Sequence, residues 1–133
     1  MSSRLVFGAG CMAAAVAVVG FAGASLAQTA PAGDPKRGAE VFKVQCSVCH
    51  MAVPNAAPSI GPNLHGVVGR RAGSAPGFKY SEAMGKVQVD WTPENLDKYL
   101  ENPWQIAPGT PMALVVPSKK NRDDVIAYLA SLK

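Results

Sequence analysis

The sequence predicts an all-α fold of three or four short helices joined by two long Pro/Gly loops. Three observations carry that reading. Apolar residues recur at spacings of three and four in three places, each beside a helix-start signal. The stretches between them are interrupted by prolines and glycines that break any period. No segment alternates apolar and polar residues as a half-buried strand would. At 133 residues the chain has room for one domain of ordinary size, and no segment recurs as it would in a repeat array.

The N-terminus stands apart from this pattern. Met1 to Ala27 carries a single charge, Arg4, followed by an uncharged Ala/Val/Gly run. It reads as an export signal, residues 1–27, with Ser25-Leu26-Ala27 as the small-x-small cleavage site and Gln28 as the new N-terminus. The competing reading is a retained membrane anchor, because the run is long enough to span a bilayer. Its Ala and Gly content, and the short distance to the first helix signal at Asp34, favour cleavage. Cys11 follows Gly8-Ala9-Gly10 and lacks the large aliphatic residue of a lipoprotein site. Cleavage leaves residues 28–133, which are 106 residues with 12 basic and 9 acidic side chains and a formal charge of +3. That charge is too mild for a nucleic-acid binder, and no basic run with interleaved aromatics is present. Two cysteines remain, Cys46 and Cys49, in an oxidising compartment.

Each element has its own justification. Asp34-Pro35 pairs a capping residue with proline at the first helical position, so a helix should run from about Pro35 to Val44. Its inward residues are Gly38, Val41, Phe42 and Gln45. From Met51 to Gly77 a long loop follows, and long loops inside small domains usually wrap something functional. A brief helical pattern returns after Ser81. Thr92-Pro93-Glu94 starts another helix, which should end by Asn102, with Leu96, Tyr99 and Leu100 facing inward. Pro103 to Pro117 is a second loop, with four prolines. The last helix should begin near Asn121, whose side chain can cap it, and reach the end of the chain, burying Val125, Tyr128, Leu129 and Leu132. Stripes this short bury little apolar surface. A large apolar cofactor would fill the middle.

Cys46-Ser47-Val48-Cys49-His50, directly after the first helix, is the strongest local signal and has the form of a c-type haem attachment site. Positions three apart on a helical turn present two sulfurs to the two vinyl groups of one porphyrin. The adjacent His50 then brings an imidazole nitrogen to the iron from the same side. The competing chemistries lack companions. Structural zinc needs four ligands, and only Cys46, Cys49, His50 and the distant His65 are present. A thioredoxin-like pair needs a strand and a βαβ context. A plain disulfide would leave His50 without a role.

The sixth position of the iron decides between electron transfer and ligand chemistry. Met51, Met84, Met112 and His65 are the candidates. Met51 adjoins His50 and does not easily reach the opposite face. Met84 falls on a short helix, where a methionine ordinarily packs. Met112 ends Pro108-Gly109-Thr110-Pro111-Met112, a proline-stiffened loop able to hold a thioether in place, and is the chosen ligand. The alternative is a loop methionine packed on the haem edge.

The same residues sit in a longer series: Gly61-Pro62-Asn63-Leu64-His65-Gly66, Gly69-Arg70-Arg71-Ala72-Gly73, and Ala75-Pro76-Gly77-Phe78-Lys79-Tyr80-Ser81. Trp91, Tyr99-Leu100-Glu101-Asn102-Pro103 and Asp124-Val125-Ile126-Ala127-Tyr128-Leu129 complete it. In this order the motifs resemble the class I c-type cytochromes, specifically the mitochondrial type and its soluble bacterial counterparts, over nearly the whole of residues 28–133. The resemblance implies a haem-wrapping fold whose first and last helices cross, with Gly38 and Phe42 against Val125 and Tyr128. It implies that the Pro62 carbonyl accepts a hydrogen bond from His50, that Arg70, Tyr80, Ser81 and Trp91 satisfy the haem propionates, and that Tyr99 and Thr110 orient Met112. Without the motifs, Trp91 and Tyr99 would read as core and Arg70 as surface.

The chain also departs from the family. Much of the usual lysine ring around the haem edge is replaced by Gln45, Trp104, Gln105 and Pro111, while Lys79, Lys86, Lys119 and Lys120 remain. Leu114 and Val116 stand where an aromatic and a small residue are usual, and Met84 replaces a polar amide.

The expected function is a periplasmic, monomeric one-electron carrier with one haem c, ligated by His50 and Met112, that converts no small-molecule substrate. Donors would be a quinol-oxidising complex or a periplasmic dehydrogenase. Acceptors would be a terminal oxidase, a reductase or a photosynthetic reaction centre. The alternatives are a haem sensor or peroxidase-like protein with an open sixth position, and a membrane-tethered carrier that keeps residues 1–27.

Overall fold

In the computed structural model, which describes residues 32–133, helix α1 spans Pro35–Gln45. The export signal at 1–27 and the N-terminus at Gln28 lie outside the described residues. Asp34 accepts hydrogen bonds from the backbone N–H groups of Lys36 and Arg37, and Pro35 opens the helix as expected. Such a cap stabilises a helix by about 1 kcal/mol. Ser81 caps α2 (Glu82–Gly85) and Thr92 caps α3 (Pro93–Glu101) by accepting from the Met84 and Asn95 N–H groups. Leu96, Tyr99 and Leu100 are all buried, as their spacing predicts.

Two elements differ from expectation. The Pro103–Pro117 loop begins with a helix, α4 (Pro103–Ile106), because Asn102 accepts from the Trp104 N–H and Pro103 starts the turn. Four residues are too few for an apolar stripe to register. Helix α5 (Lys119–Ser131) starts two residues before Asn121, since Ser118, not Asn121, is the cap and accepts from the Asn121 N–H. It also stops short of the chain end, at Ser131. Among the described residues there is no strand, only one antiparallel bridge between Arg71 and Asp90.

The tightest contact in the fold joins α1 to α5. A Cβ added at Gly38 would lie 1.9 Å from the Asp124 carbonyl oxygen and 2.7 Å from Tyr128 Cβ, so only hydrogen fits there. One turn on, the Phe42 and Tyr128 rings pack at 5.5 Å. Gly38 and Phe42 thus both pack against Tyr128 as expected, Val125 is buried in the same core, and the backbone of Asp124 is a further contact of Gly38.

Polar groups reinforce the crossing. The Asp124 side chain, 2% exposed, accepts from the Asp34 N–H at 2.8 Å and pairs with Arg37 and Lys120, each at 3.1 Å. Asp124 was not among the residues expected to face inward on this helix, which were Val125, Tyr128, Leu129 and Leu132. A buried carboxylate is tolerable here because every oxygen has a cationic or N–H partner.

Gly38→Ala should destabilise the holoprotein by about 1–3 kcal/mol through overpacking. A denaturant midpoint equal to the parent's would show that the helices can part without cost.

Candidate functional site

The α1 helix delivers Cys46, Cys49 and His50 on a continuing turn. The Cys46 and Ser47 N–H groups donate to the Phe42 carbonyl, and those of Cys49 and His50 donate to the Cys46 carbonyl at 3.0 and 2.9 Å. Cys46 is buried, Cys49 half-buried, and the two are not joined to each other. As a free thiol, before any bond is made to its sulfur, Cys46 is pushed up to about 11 by burial, assisted by the neighbouring Cys49, and is protonated at neutral pH.

His50 is held from behind. Its Nδ1 lies 2.9 Å from the Pro62 carbonyl oxygen. A carbonyl only accepts, so Nδ1 carries the proton and Nε2 keeps its lone pair. Burial lowers the pKa of the imidazole, partly offset by that same bond, and so favours the neutral ring that a metal requires. Gly61 makes the approach possible, since a Cβ there would fall 2.4 Å from His50 Cε1.

One side chain organises the loop between the two. Asn63 Nδ2 donates to the Val53 and Ala56 carbonyls at 2.8 and 3.0 Å, while its Oδ1 accepts from the His65 N–H. Gly61 and Asn63 were visible in the sequence only as parts of a motif. The Gly-Pro-Asn order marks a turn but does not reveal what the turn grips.

Arg70 donates through Nη1 to the His65 carbonyl and through Nη2 to the Asn63 carbonyl, at 3.1 and 3.0 Å. Its Nε is buried and has no partner. Trp91 is buried, its ring packed at 4.9 Å and tilted 53° against that of Tyr99, and its backbone N–H donates to the Arg70 carbonyl. The Tyr80 hydroxyl accepts from the Ala75 N–H, and the Ser81 hydroxyl serves as the α2 cap. Each hydroxyl keeps its own hydrogen to give.

On the Met112 side, buried Thr110 lies 3.3 Å from the Tyr99 hydroxyl, and its Oγ1 accepts from the Met112 N–H at 3.4 Å. Burial raises the Tyr99 pKa, with the Thr110 bond opposing and Tyr80 adding, so the phenol remains un-ionised. Met112 is half-buried against the core, whereas Met84 is buried within it and Met51 is exposed. His65 engages its neighbours through its backbone. Among the described residues no three His, Cys, Asp or Glu side chains converge as a metal cluster.

These residues fit a porphyrin bearing carboxylates. Two thiols and a neutral imidazole with a free Nε2 follow one helix, apolar side chains from Leu64, Val67 and Val68 adjoin the core, and the orphan Nε of Arg70 calls for an anion. An all-α fold with this set defines a c-type haem protein.

Residues 35–133 match the family described as Cytochrome c. The chain is 48% identical over 117 residues to the cytochrome c2 of Rhodomicrobium vannielii, covering 87% of this chain and 93% of the relative. It is 45% identical to the cytochrome c2 of Rhodopila globiformis, covering 79% and 99%, and 44% identical to the cytochrome c of Gibberella zeae, covering 73% and 92%. The chain belongs to the cytochrome c family, and its cofactor is haem c bound covalently through Cys46 and Cys49. Its function is that of a haem electron carrier acting with redox partners.

Acid-acetone extraction of matured protein should leave the haem on the polypeptide. Complete extraction of the pigment would refute the thioether attachment.

Proposed function

We propose that the chain is a periplasmic, monomeric carrier of single electrons, with His50 and Met112 as the axial ligands and no substrate conversion of its own. The observation that carries the reading is the His50–Pro62 hydrogen bond, which leaves Nε2 unprotonated for iron and makes the imidazole a better donor. Haem iron, when bound, supplies the exchange between ferrous and ferric states. The protein's part is to hold its ligands still and keep water out. Thr110, tied to Tyr99, would orient the Met112 segment from the other wall. Arg70 Nε, with Tyr80, Ser81 and Trp91, would receive the propionates.

The signal-like pattern of residues 1–27 supports the periplasmic location: they would be cleaved, leaving 28–133 as the monohaem domain. No helix among the described residues is long and apolar enough to cross a membrane. Quinol-oxidising complexes or periplasmic dehydrogenases would be donors. Terminal oxidases, reductases or photosynthetic reaction centres would be acceptors. The cytochrome c2 relatives support this carrier role.

An optical spectrum in both redox states, including the weak near-infrared band of sulfur bound to ferric iron, tests the axial pair. Met112→Ala should abolish that band, lower the reduction potential and let ferrous iron bind carbon monoxide, because the thioether favours the ferrous state. An unchanged spectrum and potential would transfer the ligand role to Met84 or His65.

Docking would rely on apolar contact more than on charge. Residues 28–133 carry +3, and two ionised propionates bring the holoprotein to about +1. Of the four lysines, Lys86 pairs with Glu82, Lys119 with Asp97 and Asp123, and Lys120 with Asp124. Trp104 is 59% exposed, and Pro111 and Leu114 are exposed near Met112 in the chain, while Ile106 packs partly on the core. Trp104→Lys should slow electron transfer to the native partner without moving the haem potential. Rates indifferent to that substitution but falling steeply with salt would restore docking through the lysines.

A further inference from the structure

Met112 sits on a sparsely bonded strap. Between Thr110 and Val116 the backbone makes one hydrogen bond among the described residues, from the Met112 N–H to Thr110 Oγ1. Both ends of the strap are tied to α3. Upstream, Thr110 meets Tyr99. Downstream, the Val116 N–H donates to the Leu100 carbonyl at 2.7 Å, and Val116 is 1% exposed.

The downstream tie depends on Arg122. Its side chain is 5% exposed and reaches from α5 to both neighbours. Nη1 donates to the Val116 and Pro117 carbonyls, both at 3.0 Å. Nε donates to Asp97 at 2.7 Å, and Nη2 to Glu101 at 3.0 Å. The two carboxylates lie on α3, one turn apart, and orient the guanidinium plane so that its third nitrogen faces the end of the strap. Lysine presents a single point charge and lacks the planar fork needed to bond all four groups at once.

We propose that Arg122 is a positioning residue for Met112: its fork locks residues 116–117 onto α3 and thereby sets how firmly the strap presents the thioether to the haem iron. This rests on Met112 being the axial ligand. A purely structural brace between α3 and α5 would predict a different outcome, because its loss would lower global stability without selectively freeing the strap.

The test measures how fast imidazole displaces the sulfur in ferric holoprotein, followed as loss of the near-infrared band at saturating imidazole. Displacement requires the strap to lift, so its rate reports that step. Arg122→Lys should speed it about tenfold or more, since hydrogen bonds to a charged group are lost. Asp97→Asn keeps an acceptor without its charge and should give a smaller increase. Asp124→Asn breaks the α1–α5 anchor without touching the strap. It should lower the denaturant midpoint yet leave the displacement rate within about twofold of the parent's.

A rate in Arg122→Lys that is unchanged, or raised no more than in Asp124→Asn, overturns the proposal. Should Arg122→Lys fail to fold with haem, an unchanged rate in Asp97→Asn overturns it equally. Absence of the sulfur band from the parent, or its survival in Met112→Ala, would instead overturn the ligand assignment.

Discussion

The backbone contact between α1 and α5 at Gly38 is the constraint on which the rest of the molecule depends. Where a Cβ would lie 1.9 Å from a carbonyl oxygen, the two helices have one possible separation. Because α1 runs directly into Cys46 and His50, fixing α1 against α5 also fixes where the thiols and the imidazole emerge. The segment that carries Met112 has the same foundation. Arg122 on α5 grips α3 and the end of that segment, so one helix holds both parts of the chain in place.

This division of labour suits a protein with a small core of its own. Among the described residues five helices, two of them only four residues long, leave much of residues 32–133 in loops whose backbone groups must be satisfied individually. Asn63 does this around the Gly61–Pro62 turn, and Thr110 at the start of the strap. Covalent haem c then supplies apolar mass that the side chains lack. Its attachment after the first helix ties it to the most rigid contact in the fold.

Buried charge follows one rule with one exception. Asp124 and Arg122 have full sets of partners, which is the condition under which such groups are tolerated inside. Among the described residues Arg70 alone leaves a buried side-chain nitrogen without one, where anionic propionates would sit. At the surface the same arithmetic works against long-range steering. Most of the lysines retained from the family's ring are engaged by nearby carboxylates, which softens the field that a partner would sense.

The sequence by itself determined the helix starts at Asp34, Ser81 and Thr92 and the attachment motif, because capping and Cys-x-x-Cys-His chemistry act over a few residues. It also placed Leu96, Tyr99 and Leu100 inside, since an amphipathic stripe needs no knowledge of its partner. Tertiary structure decided what depends on groups far apart in the chain. The residue that meets Gly38 is Asp124, 86 positions on. Asp124 and Arg122 lie outside the apolar stripe expected of the last helix, and only the packing of α1 and α3 against α5 turns them inward. The hold of Pro62 on His50 was implied by resemblance, yet the room that Gly61 leaves for it is a property of the folded loop. Local pattern dictates where a helix begins. Which buried charge finds its partner depends on surfaces that exist only after the helices have met.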